Sequence, residues 1–345
     1  MILTSLRLLW RPAALLAATV LLTACPDKKP ATTDTAASTE EAMRKAPAFN
    51  ADSAYQFTAK QVSFGPRVPN STAHVRCGDW IIGEFRKMGL QVQEQPFTAM
   101  AFDGKQLRSR NIIAQFNPKA TRRVALFAHW DTRPFADKDK QKPNAPLDGA
   151  SDGASGVAVA LEIARQLAAQ TDSAQPAVGV DFILFDSEDY GYDESTQSNL
   201  ENKLAGQNVD SWCLGSQYWA KNVVPVNYKA EYGILFDMVG AKGARFSREE
   251  ISRQKANDVV GKVWDVANRL GYSDYFIAQD AAGITDDHVY TNQAGVRTID
   301  LIDHVPFGDE YFPAYHHTTQ DNMSIIDRNT LKAVGQTVLQ TIYQE

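Results

Sequence analysis

Val178-Gly-Val-Asp-Phe-Ile-Leu-Phe185 leads straight into Asp186-Ser-Glu-Asp189. The first eight residues are β-branched and aromatic with little polar interruption, which is the composition of a strand buried on both faces. Three of the next four are acidic. Carboxylates delivered to the edge of a low-dielectric core cost free energy unless a cation compensates. Successive residues point in different directions, so one of Glu188 and Asp189 can hold a metal while the other stays available as a general base. A solvated acidic turn is the plain alternative.

The same junction recurs along the chain. Strand-like runs are expected at 111–116, 123–128, 233–238 and 296–302, alongside 178–185. The run 123–128 ends at His129 and Asp131, and the run from 233 ends at Asp237. Helix-period segments at 73–88, 156–170, 258–270 and 329–343 lie between and around them. This alternation predicts one α/β domain with a central mixed, mostly parallel β-sheet flanked by helices. In such open sheets ligands gather beyond the carboxyl ends of the strands, where these polar residues fall.

Two more segments complete a ligand set. Asp152 lies in Asp148-Gly-Ala-Ser-Asp-Gly-Ala-Ser-Gly156, whose glycines allow close backbone approach ahead of an apolar helix. Read alone, Asp152 could equally cap that helix. Tyr315-His316-His317-Thr-Thr-Gln-Asp-Asn322 supplies adjacent imidazoles, and three of the six histidines fall between His304 and His317. An aspartate, an acidic pair and a histidine give the three protein ligands and open position of catalytic zinc.

In this order and with these flanks, the segments from about Phe49 to the C-terminus resemble the zinc aminopeptidases with co-catalytic metals and their offshoot, the glutaminyl cyclases of the animal and bacterial type. The resemblance implies a zinc-exopeptidase-like fold, with Asp152, Asp189 and His317 as zinc ligands and Glu188 as catalytic base. It also matches His129 and Asp237 to the two further ligands that hold a second zinc in the aminopeptidases. The cyclases keep similar residues and work with one zinc. Asp286-Asp287-His288 and Asp237 look like the cyclase's buried carboxylate network, in which Asp286 and Asp237 join Glu188. Trp212-Cys-Leu-Gly-Ser-Gln-Tyr-Trp219 resembles the start of the helix after the acidic motif in bacterial cyclases, with Trp212 a candidate pocket wall. The chain departs from the pattern at Asp189, where many relatives carry glutamate, at Asp300, where the animal enzymes have histidine, and at His316, where tryptophan is usual. No role is carried over to Asp300 or His316.

The N-terminal region reads as an address. Residues 1–24 hold Arg7, Arg11 and an apolar stretch from Ala13 to Leu22, the build of a signal peptide and too short for a membrane span. Leu22-Thr-Ala-Cys25 resembles the bacterial lipobox, which makes Cys25 the lipidated first residue of the mature protein. Pro26 in place of aspartate points to the outer membrane facing the periplasm, and residues 25–48 read as a flexible tether. A catalytic domain is expected over 49–345. With Cys25 acylated, only Cys77 and Cys213 are left, paired or simply buried, so no disulfide framework holds the fold. The balance of 35 basic against 41 acidic residues argues against nucleic acid as a partner. Taken with the resemblance, the expected substrates are peptide and protein N-termini, cyclised by a one-zinc cyclase or hydrolysed by a two-zinc aminopeptidase. A catalytically silent envelope binding protein is the third reading.

Overall fold

The computed structural model describes residues 44–192, 210–304, 306 and 311–345. The expected signal peptide, Cys25 and the tether as far as residue 43 lie outside the described residues. Six strands form the central sheet: β1 (Gln91–Met100), β2 (Gln106–Phe116), β3 (Arg123–His129), β4 (Gly179–Phe185), β5 (Tyr232–Asp237) and β8 (Thr298–Ile302), in the order β1-β2-β4-β3-β5-β8. β4, β3, β5 and β8 run parallel, whereas β1 pairs with β2, and β2 with β4, antiparallel. The sheet is therefore mixed and mostly parallel, as its sequence pattern predicts. Two short strands, β6 (Phe246–Glu249) and β7 (Phe276–Ala281), pair separately.

Alternation along the inner strands shows why both faces must be covered. Val180, Phe182 and Leu184 of β4 pack into the larger core with helices α1 (Ala51–Val62), α2 (Thr72–Lys87), α3 (Ala154–Ala168), α5 (Glu250–Arg269) and α7 (Arg328–Ile342). Ile183 and Phe185 face the other way, onto Phe127, Leu235 and Trp219 of α4 (Leu214–Lys221). Asp181 interrupts the apolar run of β4 and is fully buried. Two hydrogen bonds from the Arg123 guanidinium (2.6 and 2.7 Å), with others from the Tyr228 hydroxyl and Gln115, satisfy its oxygens. A buried charge left without such partners would cost several kcal/mol, about 3–5 when one member of a pair is removed.

The compact region starts earlier than residue 49. The Ala46 N–H donates to Gln340 Oε1 (3.0 Å), and Gln340 and Gln336 of α7 donate to the carbonyls of Arg44 and Pro47. The expected tether is shortened accordingly: residues 44–47 lie on α7, whose glutamines bond the Ala46 N–H and the Arg44 and Pro47 carbonyls. Cys77 and Cys213 are both buried and unpaired, which closes the alternative of a disulfide. α5 is interrupted at Ala256, and the helical period expected from residue 258 is its second part. No helix among the described residues is long and apolar enough to cross a membrane.

Candidate active site and metal centre

The carboxyl ends of the parallel strands bring the expected residues to one place. His129 ends β3, Asp237 ends β5, and Glu188 and Asp189 follow β4. Asp152 stands just ahead of α3, and its side chain does not cap that helix, whose N-cap is Gly153 with no side-chain bond. It lies instead 3.0 Å from His129 Nε2, which is also 3.2 Å from Asp237 Oδ1. Gly153, at φ +92°, is required by this loop: a Cβ there would come within 2.7 Å of the Asp131 carbonyl and 3.1 Å of the His129 ring.

His317 reaches the same point from the opposite side. Its Nε2 is 3.3 Å from Asp189 Oδ1, and Asp152, His316 and His317 offer ligand atoms all within 4.8 Å of one another. Asp189 Oδ2 is buried without a hydrogen-bond partner, as a donor atom awaiting a cation would be. Behind the His317 ring, Nδ1 is 3.5 Å from Asp137, and a carboxylate so placed orients a ligating imidazole. Burial, with His316 and Arg133 adding to it, holds His317 well below the usual histidine range, so it is the neutral imidazole that faces the site. Of the three residues matched to zinc ligation, His317 meets Asp189 at 3.3 Å, whereas the group that gathers within 4.8 Å is Asp152, His316 and His317, so His316 stands where the matched set has Asp189. His129, Asp152 and Asp237 form a second group of ligand atoms within 4.8 Å, sharing Asp152.

Two further buried carboxylates act as cradles. Asp131 accepts the backbone N–H of Glu188 (3.0 Å) and of Asp189 (3.3 Å). Asp321 accepts those of Ser151 (2.7 Å) and Asp152 (3.1 Å), and burial, with the charge of Asp152, pushes it up to about 7. Arg133, also fully buried, donates to the carbonyls of Asp189 and Gly191 and pairs with Asp137. Asp152, Glu188 and Asp189 are therefore held through their backbones as well as their side chains.

Glu188 meets Asp286, as expected, and also Cys213, which sequence reasoning left without a role. The three offer ligand atoms within 4.8 Å, and the Cys213 thiol donates to Glu188 Oε1 at 3.2 Å while its N–H donates to the Glu188 carbonyl at 3.0 Å. Burial raises the Glu188 carboxyl well above the usual range, against the charge of His129, and Asp189, Asp286 and Asp287 raise it further. Asp286 caps α6 (Asp287–Gln293) through one oxygen, and burial with Asp237 pushes it up to about 7. Behind it stand His288 and Asp300, both buried, with ligand atoms within 4.8 Å of its own. Asp300, whose letter departs from the animal pattern, thus extends the carboxyl cluster.

A cavity of about 320 Å³ opens onto these groups, lined by Asp152, Glu188, Asp189, Asp237, Asp286 and His317 on the polar side and by Trp212, Ile284, Ile302 and Phe312 on the apolar side. Trp212 lines this cavity: its ring stacks on His317 (centroids 5.7 Å), its indole N–H donates to the Tyr192 carbonyl, and the Arg133 guanidinium lies over the ring, 4.7 Å from its centroid. His316 stacks between His317 (3.7 Å) and Phe312 (4.2 Å). Ser187, Cys213, Met238 and His317 all have positive φ, and apart from three asparagines they are the non-glycine residues that do so among the described residues. Each adjoins or belongs to the site, where such strain concentrates in working enzymes.

The profile of Peptidase family M28 matches residues 111–342. Among solved structures, a Zn-dependent exopeptidase from Parabacteroides distasonis is 48% identical, covering 87% of this chain and 100% of its own, with a TM-score of 0.81. The glutaminyl cyclase of Tannerella forsythia gives the same identity, coverage and TM-score. The curated Aminopeptidase YwaD of Bacillus subtilis is 26% identical over 318 residues, 88% of this chain, and the chain spans 59% of that relative's length.

Proposed function

The chain belongs to Peptidase family M28, and from that membership we propose that it is a glutaminyl-peptide cyclotransferase, converting the N-terminal glutamine of peptides or proteins to pyroglutamate with one zinc ion. The family and the Zn-dependent exopeptidase neighbour support zinc, and the similarity to the Tannerella cyclase supports the reaction. The observation that carries the reading is the carboxyl cluster in which Glu188, at the cavity, meets the buried Asp286, with His288 and Asp300 behind.

Zinc held by Asp152, Asp189 and His317 would act as a Lewis acid on the side-chain carbonyl of the substrate glutamine. The substrate's α-amine nitrogen attacks the γ-carboxamide carbon, a C–N bond closes the lactam, and the bond to the amide nitrogen breaks to release ammonia. Glu188 takes the proton shed by the amine and returns it to the leaving nitrogen, so no water is consumed and no net proton is gained or lost. A base that must hold and hand back one proton is served by a raised carboxyl among neighbours such as Asp286. Asp237, hydrogen-bonded to His129, closes the cluster on the metal side. Cys213 fixes the Glu188 carboxylate, and Trp212 with Phe312 gives the apolar walls that keep amine and carboxamide folded together, a source of acceleration through proximity.

One observation favours a second reading, hydrolysis of N-terminal residues with two zinc ions: His129, Asp152 and Asp237 converge as a second ligand group. Incubating the zinc-loaded full chain with glutaminyl and leucyl peptides separates the two. Ammonia from the glutaminyl peptide, without free amino acid from either, is the expected result; free leucine without ammonia gives the aminopeptidase. The proposal also holds that acylated Cys25 anchors the enzyme to the cell envelope, at the outer membrane facing the periplasm. Cys25→Ser should then leave soluble or unprocessed protein, and unchanged fractionation and mass would remove the anchor.

A further inference from the structure

Beside the catalytic cavity lies a second, larger one of about 1110 Å³, and Lys138, Phe312 and His316 line both. One wall of this groove is the turn 137–142, the other is residues 311–314. The turn is rigidly tied to the site. The Lys138 N–H donates to the His317 carbonyl (3.2 Å). Asp139 accepts the N–H groups of Gln141 and Lys142 through one oxygen, and the N–H and hydroxyl of Thr319 through the other.

Those bonds hold the Asp139 carboxylate against the turn and Thr319, while the lysines beside it reach the groove. Asp139 is surrounded by four donors and Asp137 is paired with Arg133. Lys140 and Lys142 are exposed and, among the described residues, neither pairs with a carboxylate. In a chain of net charge −6, this groove is lined by Lys138, Lys140 and Lys142 against Asp137 and Asp139, so its charged lining is net positive, with Lys140 and Lys142 the exposed cations. The facing wall carries Tyr311, 53% exposed, with Phe312 and Pro313.

We propose that this groove receives the residues following the substrate's N-terminal one, and that Lys140 and Lys142 select chains with acidic side chains there. This rests on the reading that the substrate is a peptide N-terminus, but not on whether that terminus is cyclised or hydrolysed. An extended peptide advances about 3.3 Å per residue, so side chains a few residues past the reacting end lie along the groove while the first residue fills the smaller cavity. The contacts are remote from the reacting atoms and equal in ground and transition states, so the preference belongs in KM and not in kcat.

The test compares N-terminal glutaminyl and leucyl hexapeptides carrying two glutamates, two alanines or two lysines at the third and fourth positions, on the zinc-loaded full chain and on Lys140→Glu/Lys142→Glu. Exposed ion pairs of this kind give about a 3- to 10-fold advantage of acidic over basic peptides in kcat/KM at low salt. The advantage should reside in KM, flatten in about 0.5 M salt, and vanish or invert in the double variant, while a dipeptide amide too short for the groove is turned over equally by both. Equal kcat/KM for acidic and basic peptides at low salt, or a preference that survives the double variant, overturns the proposal. If no peptide of either kind reacts, the functional reading has failed, and the groove is judged by anisotropy of the fluorescent acidic hexapeptide: salt-sensitive binding weakened by the double variant supports it, and equal binding overturns it.

Discussion

Asp131→Asn replaces one oxygen by an amide nitrogen and leaves the shape unchanged, which makes it a sharp test of how the site is held. Asp131 is fully buried and each of its oxygens accepts a backbone N–H, from Glu188 at 3.0 Å and from Asp189 at 3.3 Å. The amide keeps one acceptor, so its NH₂ must face one of the two N–H groups. One charge-assisted hydrogen bond is lost, worth about 1.5–3 kcal/mol, and buried donors are left opposed at about 1–3 kcal/mol more. The sum is roughly 3–5 kcal/mol. If it falls on the placement of Glu188 and Asp189 alone, turnover drops by roughly 10²- to 4 × 10³-fold, at about 1.4 kcal/mol per factor of ten. If it falls on the whole fold instead, Tm drops by about 6–10 °C, taking roughly 2 °C per kcal/mol for a domain of this size. Steady-state turnover of a glutaminyl peptide, zinc content and thermal melting of the same preparation separate the two. Wild-type turnover, zinc and Tm together would refute the claim that Asp131 carries the acidic pair.

Glu188→Gln should retain zinc and lose about 10²- to 10⁴-fold in turnover, with substrate binding changed far less; ammonia release and metal analysis check both. Cys213→Ala removes the thiol that donates to Glu188 Oε1 and should slow turnover by about 3- to 10-fold, the worth of one modest hydrogen bond, with Cys213→Ser restoring most of it. Chelation should abolish activity, and His129→Ala should leave the zinc equivalent of the cyclase reading in place; loss of one of two equivalents in washed protein would move the assignment to the aminopeptidase.

The elements legible in the sequence are those whose burial is dictated by pattern. β3, β4 and β5 are covered on both faces and read as apolar runs, and the polar residue ending each run marks the site because the sheet delivers it there. β1 escapes notice: it is an edge strand, mostly exposed, with Pro96 in its middle. α4 and α6 are eight and seven residues long, too short for a helical period to stand out, yet they follow Cys213 and Asp286. The matched residues Asp152, Asp189, Glu188 and His317 could be named in advance. Asp131 and Asp321 could not be given their tasks, since their partners are backbone N–H groups 57 and 170 residues away, and nothing local announces them.

The positive-φ residues explain why letters alone under-specify such a site. Ser187, Cys213, Met238 and His317 adopt a conformation that costs an ordinary side chain about 1–3 kcal/mol. The fold sustains it where surrounding bonds over-determine the backbone. Ser187 turns the chain after β4 so that Glu188 leaves the strand direction, with the Leu214 N–H on its carbonyl and its hydroxyl bonded to Ser109. Cys213 is held by its N–H on the Glu188 carbonyl, and His317 by the Lys138 N–H on its own. Ser187, Cys213 and His317 are thus each tied by such bonds to another segment of the chain. The direction of Glu188 and of His317 is consequently set by long-range backbone bonds, which no periodicity in the sequence encodes and which Asp131 and Asp321 complete.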